Sequence, residues 1–198
     1  MTASGVRVRA ARPADAEALA RVHVASWQWA YRGIVPDAVL DALSWQERRD
    51  QWQERLGGDL DPQMRTWVAV GSGTAAPDDR SESAAGSEHV VGFASFGPSR
   101  DDDTTATTAE LYAIYVAPHQ ARRGAGRALL RTGVKALPAE FERLDVWVLA
   151  DNVPARRFYA RHGLAPDGME KTLDIGGAQL VEVRCSALVS VVRERLAT

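Results

Sequence analysis

The most constraining feature of this 198-residue chain is a glycine-containing segment near its middle, which reads Arg-Arg-Gly-Ala-Gly-Arg-Ala-Leu-Leu from Arg122 to Leu130. A strand pattern over 110–116 precedes it, Pro118 ends that strand, and an apolar helical pattern over 124–137 follows. The start of a helix offers unpaired amide N–H groups, and glycines let the backbone come close to an anion. The segment therefore predicts a strand–turn–helix unit whose turn can bind a diphosphate.

Three classes of phosphate ligand compete for this turn. A nucleoside triphosphatase loop ends in Gly-Lys followed by Ser or Thr, and the segment lacks that ending. A dinucleotide fingerprint needs a small residue three positions after Gly126, where Leu129 stands, and it belongs near the start of a domain. The diphosphate of coenzyme A remains, although a Gly-x-Gly at a helix start is also typical of a plain tight turn.

Apolar patterns elsewhere predict helices and strands mixed around one sheet, in a single domain over 1–198. Because a strand–helix–strand crossover joins parallel neighbours, the strands at 109–116 and 144–149 should lie side by side. Residues 71–88 are predicted to form a long flexible hairpin loop, and 99–108 a second polar loop with a loose tip. Predicted strands cover 6–9, 67–70, 89–96, 110–116, 144–149, 170–175 and 179–188, and predicted helices cover 13–27, 39–43, 45–57, 124–137 and 152–162.

A second motif follows the strand at 144–149. It fills every position of the pattern Asn-x-x-Ala-x-x-apolar-Tyr-x-x-x-Gly-apolar, with Asn152, Ala155, Phe158, Tyr159, Gly163 and Leu164. Together with the glycine segment, this motif resembles the GNAT superfamily of acetyl-coenzyme A-dependent N-acetyltransferases. Residues 6–36 also look like the first strand and acceptor-side helices of bacterial members, so the resemblance spans nearly the whole chain apart from 71–88. It implies an α/β fold with a mixed, strongly twisted sheet of about 6–7 strands and helices on both faces.

The resemblance implies that the glycine turn binds the diphosphate of acetyl-coenzyme A. The strand before the turn would bond the pantetheine arm through its backbone, and a splay between strands 109–116 and 144–149 would admit the arm. Asn152 would line this gap, a use compatible with capping a helix. Members often have Gln or Arg where Ala121 stands, but the position offers mainly backbone, so we expect binding to survive. The expected cofactor-binding residues are Ile114, Tyr115, Val116, Arg122, Arg123, Gly124, Ala125, Gly126, Arg127, Ala128, Asn152 and Phe158.

Tyr159 is the candidate proton donor to the leaving thiolate. It stands at the motif position where the family uses a tyrosine in this role, and a phenol with a pKa near ~10 stays protonated at neutral pH. Simple packing of its ring beside Phe158 is the alternative.

Glu110 is the candidate general base, acting through a water molecule, because many members carry a glutamate near this position. Strand alternation places it on the same face as Tyr112 and Ile114. A solvated carboxylate at a strand end is the alternative interpretation. Tyr112 and Tyr115 also remain candidates, of which one should point toward the core and the other away.

Aromatic residues are expected to line the acceptor site. Trp27 and Tyr31 lie at the end of the first helix, which the resemblance places over that site, and an aromatic wall can receive an amine by cation–π contact. Core packing is the alternative for each tryptophan. Tyr112 is the third expected substrate-binding residue.

Composition excludes several other classes of function. The formal net charge is −2, so no overall positive field attracts nucleic acid or an acidic membrane. No apolar stretch approaches the ~20 residues of a membrane helix, and the start of the chain lacks a signal-peptide pattern, so a cytoplasmic location is expected. No cysteine–histidine cluster has zinc spacing, and we expect no metal. The single cysteine, Cys185, is expected to be a small buried hydrophobe.

These patterns predict an acyltransferase that moves an acetyl group from acetyl-coenzyme A to a primary amine, by direct transfer in a ternary complex. The acceptor is a small molecule or a peptide, and members of the family often form homodimers. Two other functions stay open at this point: a non-catalytic acetyl-coenzyme A sensor, and an acyltransferase with a longer acyl donor.

Overall fold

The computed structural model describes residues 6–58, 63–72 and 88–198. These ranges contain seven strands and six helices, with short 3₁₀ turns at Pro13–Asp15 and Pro118–Gln120. In chain order they are β1 (Arg7–Ala10), α1 (Ala16–Ala30), α2 (Asp37–Asp41), α3 (Trp45–Gly57), β2 (Arg65–Ser72), β3 (Glu88–Pro98), β4 (Thr108–Val116), α4 (Ala125–Ala136), β5 (Arg143–Leu149), α5 (Val153–Arg161), β6 (Ala165–Ile175), β7 (Ala178–Leu188) and α6 (Val189–Ala197).

The strands form one mixed sheet in the order β1-β2-β3-β4-β5-β7-β6. All neighbours are antiparallel except β4 and β5, which are parallel, as the crossover rule predicted. One apolar cluster, which includes Leu129 of α4 and Val192 of α6, covers one face of the sheet. A second cluster, which includes Leu19 of α1 and Trp52 of α3, covers the opposite face. The predicted α/β fold with helices on both faces is therefore confirmed.

Three sequence predictions differ from the structure. The chain ends in helix α6, which the apolar pattern after the last strand did not reveal, and α1 continues to Ala30 rather than ending near 27. The flexible loop expected at 71–88 lies mostly outside the described residues. The polar loop before β4 is not a loose tip, because ion pairs described below hold it. None of the described helices is long and apolar enough to cross a membrane.

A β-bulge in β4 sets which side chains face which helices. The β3–β4 register shifts so that Ala113 pairs with Ser95 but Leu111 pairs with Phe96, which leaves Tyr112 as the extra residue. Leu111 and Ile114 consequently pack on the α4 side, whereas Tyr115 packs on the α1–α3 side. Simple alternation predicted Glu110 and Ile114 on one face, and that prediction is wrong because the bulge reverses the alternation.

Strands β4 and β5 separate soon after they meet. Their pairing covers only Thr108–Glu110 against Arg143–Asp145, while β4 continues to Val116 and β5 to Leu149. Beyond Glu110 the β5-facing edge of β4 therefore has no strand partner. This is the splay that the sequence analysis expected, and it opens toward the turn that leads into α4.

Candidate active site

The glycine turn presents unpaired amides at the start of α4. Gly124 is the N-cap residue, with a left-handed φ of 90° and no side-chain cap, and Arg122 also has a positive φ of 63°. The amide of Ala128 donates to the Gly124 carbonyl at 3.0 Å, so the helix ladder begins there. The amides of Ala125, Gly126 and Arg127 have no acceptor among the described residues. Because the helix dipole adds a partial positive charge, this turn is chemically suited to an anion.

The second motif packs directly against this turn. A Cβ placed on Gly126 would lie 3.5 Å from the ring of Phe158, so the start of α4 lies in van der Waals reach of that ring. Asn152 caps α5, since its Oδ1 accepts the amide of Ala155 at 3.2 Å. Asn152 is itself buried and follows the end of β5 by three residues. The two motifs recognised separately in the sequence thus form one continuous site.

The arginines of the turn differ in what they contact. Arg122 and Arg123 are exposed, so their side chains can reach a bound anion. The Arg127 guanidinium instead donates to the carbonyl of Leu196 in α6 at 3.0 Å, which leaves only its backbone amide for the turn. In β4 the carbonyl of Val116 already accepts the Ser26 hydroxyl at 3.0 Å, so a further ligand would have to share that oxygen.

Tyr159 is buried in the wall of the gap. Its ring meets Phe158 edge to face, with centroids 5.5 Å apart, and only about 6% of the residue is exposed. Burial raises the pKa of the Tyr159 phenol, and the neighbouring Tyr115 adds to this effect. The pKa of Tyr31 is raised as well, by burial first and then by Tyr115, which indicates that the three hydroxyl groups lie near one another. The phenol is therefore protonated throughout the neutral range.

Glu110 is held in an ion pair with Arg100. The Arg100 Nη2 donates to Oε1 of Glu110 at 2.6 Å, and its Nε donates to Oε2 at 3.1 Å. The carboxylate is only 4% exposed, whereas the Arg100 side chain is 65% exposed. The same guanidinium lies 4.1 Å from the ring centroid of Tyr112, whose hydroxyl donates to the carbonyl of Pro98. Glu110 and Tyr112 are thus brought together, and Glu110 is not the solvated carboxylate of the alternative interpretation.

The loop that carries Arg100 is held by a buried arginine that the sequence analysis did not identify. Arg184 of β7, 8% exposed, donates to Asp103 at 2.7 Å and to Asp167 at 2.7 Å. It also reaches Asp101 at 3.2 Å, and the indole N–H of Trp147 donates to Asp101 at 2.8 Å. These bonds fix the loop against the sheet. The signal available in the sequence was the acidic run 101–103, but its partner lies more than eighty positions away.

Asp145 is a second buried carboxyl that the sequence analysis did not select. It pairs with Glu110 in the register of β4 and β5, at the last point before the strands separate. Its carboxylate accepts the hydroxyl of Ser186, and burial raises its pKa above the ordinary range. Two carboxyl groups therefore stand side by side at the base of the gap.

Trp27 and Tyr31 form an aromatic wall at the end of α1. Their rings meet edge to face with centroids 4.8 Å apart, and both pack against the small cluster that contains Leu149 at the end of β5. The indole N–H of Trp27 is buried and has no acceptor among the described residues. Tyr115 stacks on His23 at 5.1 Å on the same side of the sheet. Contrary to the expectation that Tyr112 and Tyr115 point opposite ways, both face the α1–α3 side, because of the bulge.

Cys185 lies apart from these groups. It is 2% exposed, belongs to the cluster on the α4 side, and burial raises the pKa of its thiol. A thiol with a raised pKa is a poor nucleophile at neutral pH. It is the small buried hydrophobe that the sequence predicted.

Comparisons with known proteins agree with this geometry. A family model described as "Acetyltransferase (GNAT) family" matches residues 24–164. An uncharacterized N-acetyltransferase of Bacillus subtilis, YuaI, is 34% identical over 180 residues, which is 90% of each chain. A probable N-acetyltransferase of Mycobacterium tuberculosis is 26% identical over 172 residues, or 85% of this chain and 84% of the relative.

Solved structures share the fold. A GNAT-like structure from Salmonella typhimurium, described as a putative acetyltransferase with its cofactor acetyl-CoA, superimposes with a TM-score of 0.62 at 18% identity. The match covers 94% of this chain and 95% of that chain. The family match over most of the chain and the relative at 34% identity establish that the chain belongs to the GNAT family of N-acetyltransferases.

Proposed function

We propose that the protein transfers an acetyl group from acetyl-coenzyme A to a primary amine, in a ternary complex without a covalent acetyl-enzyme. The observation that carries this proposal is the set of unpaired amides at the start of α4, which opens onto the gap between β4 and β5. A diphosphate at the amides and an extended arm in the gap match the two halves of coenzyme A. The Salmonella neighbour, which shares the fold, was solved with acetyl-CoA, and this supports acetyl-coenzyme A as the co-substrate.

The residues present fit this co-substrate. The amides of Ala125 to Arg127 would hold the diphosphate, with Arg122 and Arg123 adding charge from the exposed side. The free edge of β4 at Ile114 to Val116 would bond the pantetheine arm as an added strand. Asn152 and Phe158 would line the opposite wall of the gap. Acetyl-coenzyme A supplies the activated acetyl thioester.

Tyr159 is proposed as the acid of the reaction. Its phenol holds a proton in a buried position, and its raised pKa keeps that proton in place at neutral pH. Proton donation to a developing thiolate contributes ~10²–10⁴-fold to rates in comparable acid catalysis. The side chain therefore serves the step in which sulfur leaves.

Glu110 is proposed as the base that takes the proton of the amine through a water molecule. Arg100 donates to both oxygens of this carboxylate, which holds it in place at the base of the gap for proton transfer. The pairing also shields the carboxylate of Glu110. The side chain of Arg100 must therefore move aside when an acceptor binds. Trp27, Tyr31 and Tyr112 are proposed to line the acceptor side.

The test is release of free thiol from acetyl-coenzyme A with a panel of small amines and peptides. Amine-dependent thiol release, with the acetylated amine identified by mass spectrometry, is the expected result. Binding of coenzyme A with no turnover would favour a non-catalytic sensor. The pairing of Glu110 with Arg100 is compatible with that function. Faster transfer from longer acyl thioesters would instead indicate a longer acyl donor. A homodimer and a cytoplasmic location stay predictions.

A further inference from the structure

Helix α3 presents two arginines beside Trp52, the residue that packs against the sheet. Arg48, Trp52 and Arg55 stand at positions i, i+4 and i+7, so they share one face of the helix. Trp52 is 4% exposed and meets Phe93 of β3 edge to face, with centroids 5.1 Å apart. Trp52 turns toward the sheet, and the two arginines flank it, Arg48 partly buried and Arg55 exposed.

These two arginines have no carboxylate partner among the described residues. Arg48 donates to the amide oxygen of Gln51 at 2.8 Å, and Arg55 lies over the Trp52 ring at 5.4 Å. The adjacent Arg49 pairs with Asp50 at 2.8 Å. A guanidinium that lacks an anion is available to bind one, because its fork of N–H donors matches a carboxylate or phosphate group.

The arginines lie beside the proposed base. Arg100 lies 4.1 Å from the ring centroid of Tyr112 and pairs with Glu110. The pKa of Arg55 is lowered, by burial first and then by the charges of Arg100 and Arg48, so the three guanidinium groups share one region of the α1–α3 side. Within this region Glu110 is already matched by Arg100, which leaves Arg48 and Arg55 as uncompensated positive charge.

Buried polar atoms nearby also lack partners. Nδ1 of His23 and Nε1 of Trp52 are buried without a hydrogen-bond partner among the described residues. His23 stacks on Tyr115 at 5.1 Å and lies 5.9 Å from Phe93, between α1 and the sheet. Burial first, and then the charges of Arg48 and Arg55, lower the pKa of His23 to about 3, so this imidazole stays neutral. The two guanidinium groups are therefore not balanced by an anion on this side of the sheet among the described residues.

We infer that Arg48 and Arg55 bind an oxyanion carried by the acceptor, so that the substrate is an amine with a carboxylate or phosphate-like group at its other end. This inference rests on the proposed acetyl transfer and names the class of its acceptor. The anion docks on α3 while the amine faces Glu110 and the thioester. An amine without an anionic group would leave both guanidinium groups unmatched and would bind more weakly.

The test compares ω-amino acids of increasing chain length with their carboxamides, which are similar in size and lack the charge. Aminoalkylphosphonates of the same lengths form a third series, which distinguishes carboxylate from phosphate-like anions. With the wild-type protein, kcat/KM for the best acid or phosphonate should exceed that for its carboxamide by about tenfold or more. In Arg48→Gln and Arg55→Gln the preference should fall toward unity, mainly through KM.

The matched control is Arg49→Gln, which removes the same charge from the same helix at an arginine already paired with Asp50, and it should keep the preference. Thermal melting of each variant verifies that it is folded. Carboxamides acetylated as well as the acids and phosphonates, or a preference that persists in the Arg48→Gln/Arg55→Gln double variant, would overturn the inference while leaving acetyl transfer intact.

A binding measurement separates this inference from the proposed function. Saturation-transfer NMR with the protein saturated with coenzyme A reports binding of the same acids, phosphonates and carboxamides without turnover. If no amine is acetylated, the proposed function fails, and the NMR result still decides the inference. Selective binding of the anionic compounds that is lost in the double variant supports it, and equal or absent binding of anions and carboxamides contradicts it.

Discussion

Tyr159 and Glu110 are both buried, but their surroundings act on them in different ways. Tyr159 is enclosed by apolar groups and other phenols, and this burial favours its neutral, protonated form. Glu110 accepts hydrogen bonds from the backbone amide and the guanidinium of Arg100. One buried side chain therefore holds a proton among apolar groups, and the other lies against a fixed positive charge. This difference suits an acid and a base that work in the same reaction.

Replacement of Tyr159 by Phe should lower kcat by about 10²-fold or more, because it removes the proton donor and retains the ring. Coenzyme A affinity should change little. The raised pKa of Tyr159 keeps its phenol protonated further into the alkaline range. The activity should therefore show no loss from deprotonation of Tyr159 below pH ~10. Steady-state kinetics of both proteins from neutral to alkaline pH measure both effects, and full activity in the variant would remove Tyr159 from this role.

The Arg100–Glu110 pair should respond unequally to loss of its two members. Arg100→Ala leaves a carboxylate that is 4% exposed without its donors, which should cost about 1–3 kcal/mol of the free energy of unfolding. Glu110→Gln leaves a guanidinium that is 65% exposed and can be hydrated, so it should cost less. Urea unfolding of the two variants compares these costs, and a larger loss for Glu110→Gln would contradict the described burial.

Residue-scale predictions from the sequence succeeded where a motif fixed the position. Asn152 was expected to cap a helix, and it does so, since the motif places it one residue before α5. The partner of Glu110 could not be predicted, because Arg100 approaches it across a bulge that shifts the strand register. The positions of Arg48 and Arg55 beside Trp52 follow from helical periodicity in α3.

At the scale of elements, the turn into α4 combines a glycine in the left-handed conformation with unpaired amide donors. The left-handed φ of 90° at Gly124 is favourable for glycine and costs other residues about 1–2 kcal/mol. Bending the chain there directs the first amides of α4 outward instead of into a capping side chain. The turn and the splay of β4 from β5 then form one continuous surface, which neither element provides alone.

Gly126→Asp should abolish or strongly weaken coenzyme A binding, by about 100-fold or more. The new carboxylate would stand among the unpaired amides, where it repels a diphosphate and competes for the same donors. The matched control is Ala136→Asp, which adds the same charge at the exposed C-terminal end of α4. Isothermal titration with coenzyme A compares the two variants, and equal affinity in both would place the diphosphate elsewhere.

Elements defined by strong local signals were predictable, and elements defined by long-range contacts were not. The strand–turn–helix unit around the glycine turn follows from apolar periodicity and glycine spacing. Helix α6 carries a short apolar pattern directly after β7, and it is fixed by contacts with α4: Arg193 donates to the Val134 carbonyl at 3.3 Å. The loop before β4 looks unstructured in sequence because its partner, Arg184, belongs to a strand near the end of the chain.

At the scale of the whole molecule, the two faces of the sheet carry different parts of the proposed site. Helix α4, which begins at the amide turn, packs on one face of the sheet. Helix α6 supports α4, because Arg127 of α4 donates to the carbonyl of Leu196 in α6. The α1–α3 side carries Glu110, Tyr112 and the arginines of α3. The gap between β4 and β5 connects the two sides through the sheet, so a donor held on one side can meet an acceptor held on the other.

Amide hydrogen exchange with and without coenzyme A tests the central claim most directly. The account predicts that coenzyme A slows exchange at the amides of Ala125 to Arg127 and along β4 at Ile114 to Val116, while the β6–β7 hairpin is unchanged. Protection confined to other segments, or no protection at saturating coenzyme A, would show that the turn and the gap do not form the binding site.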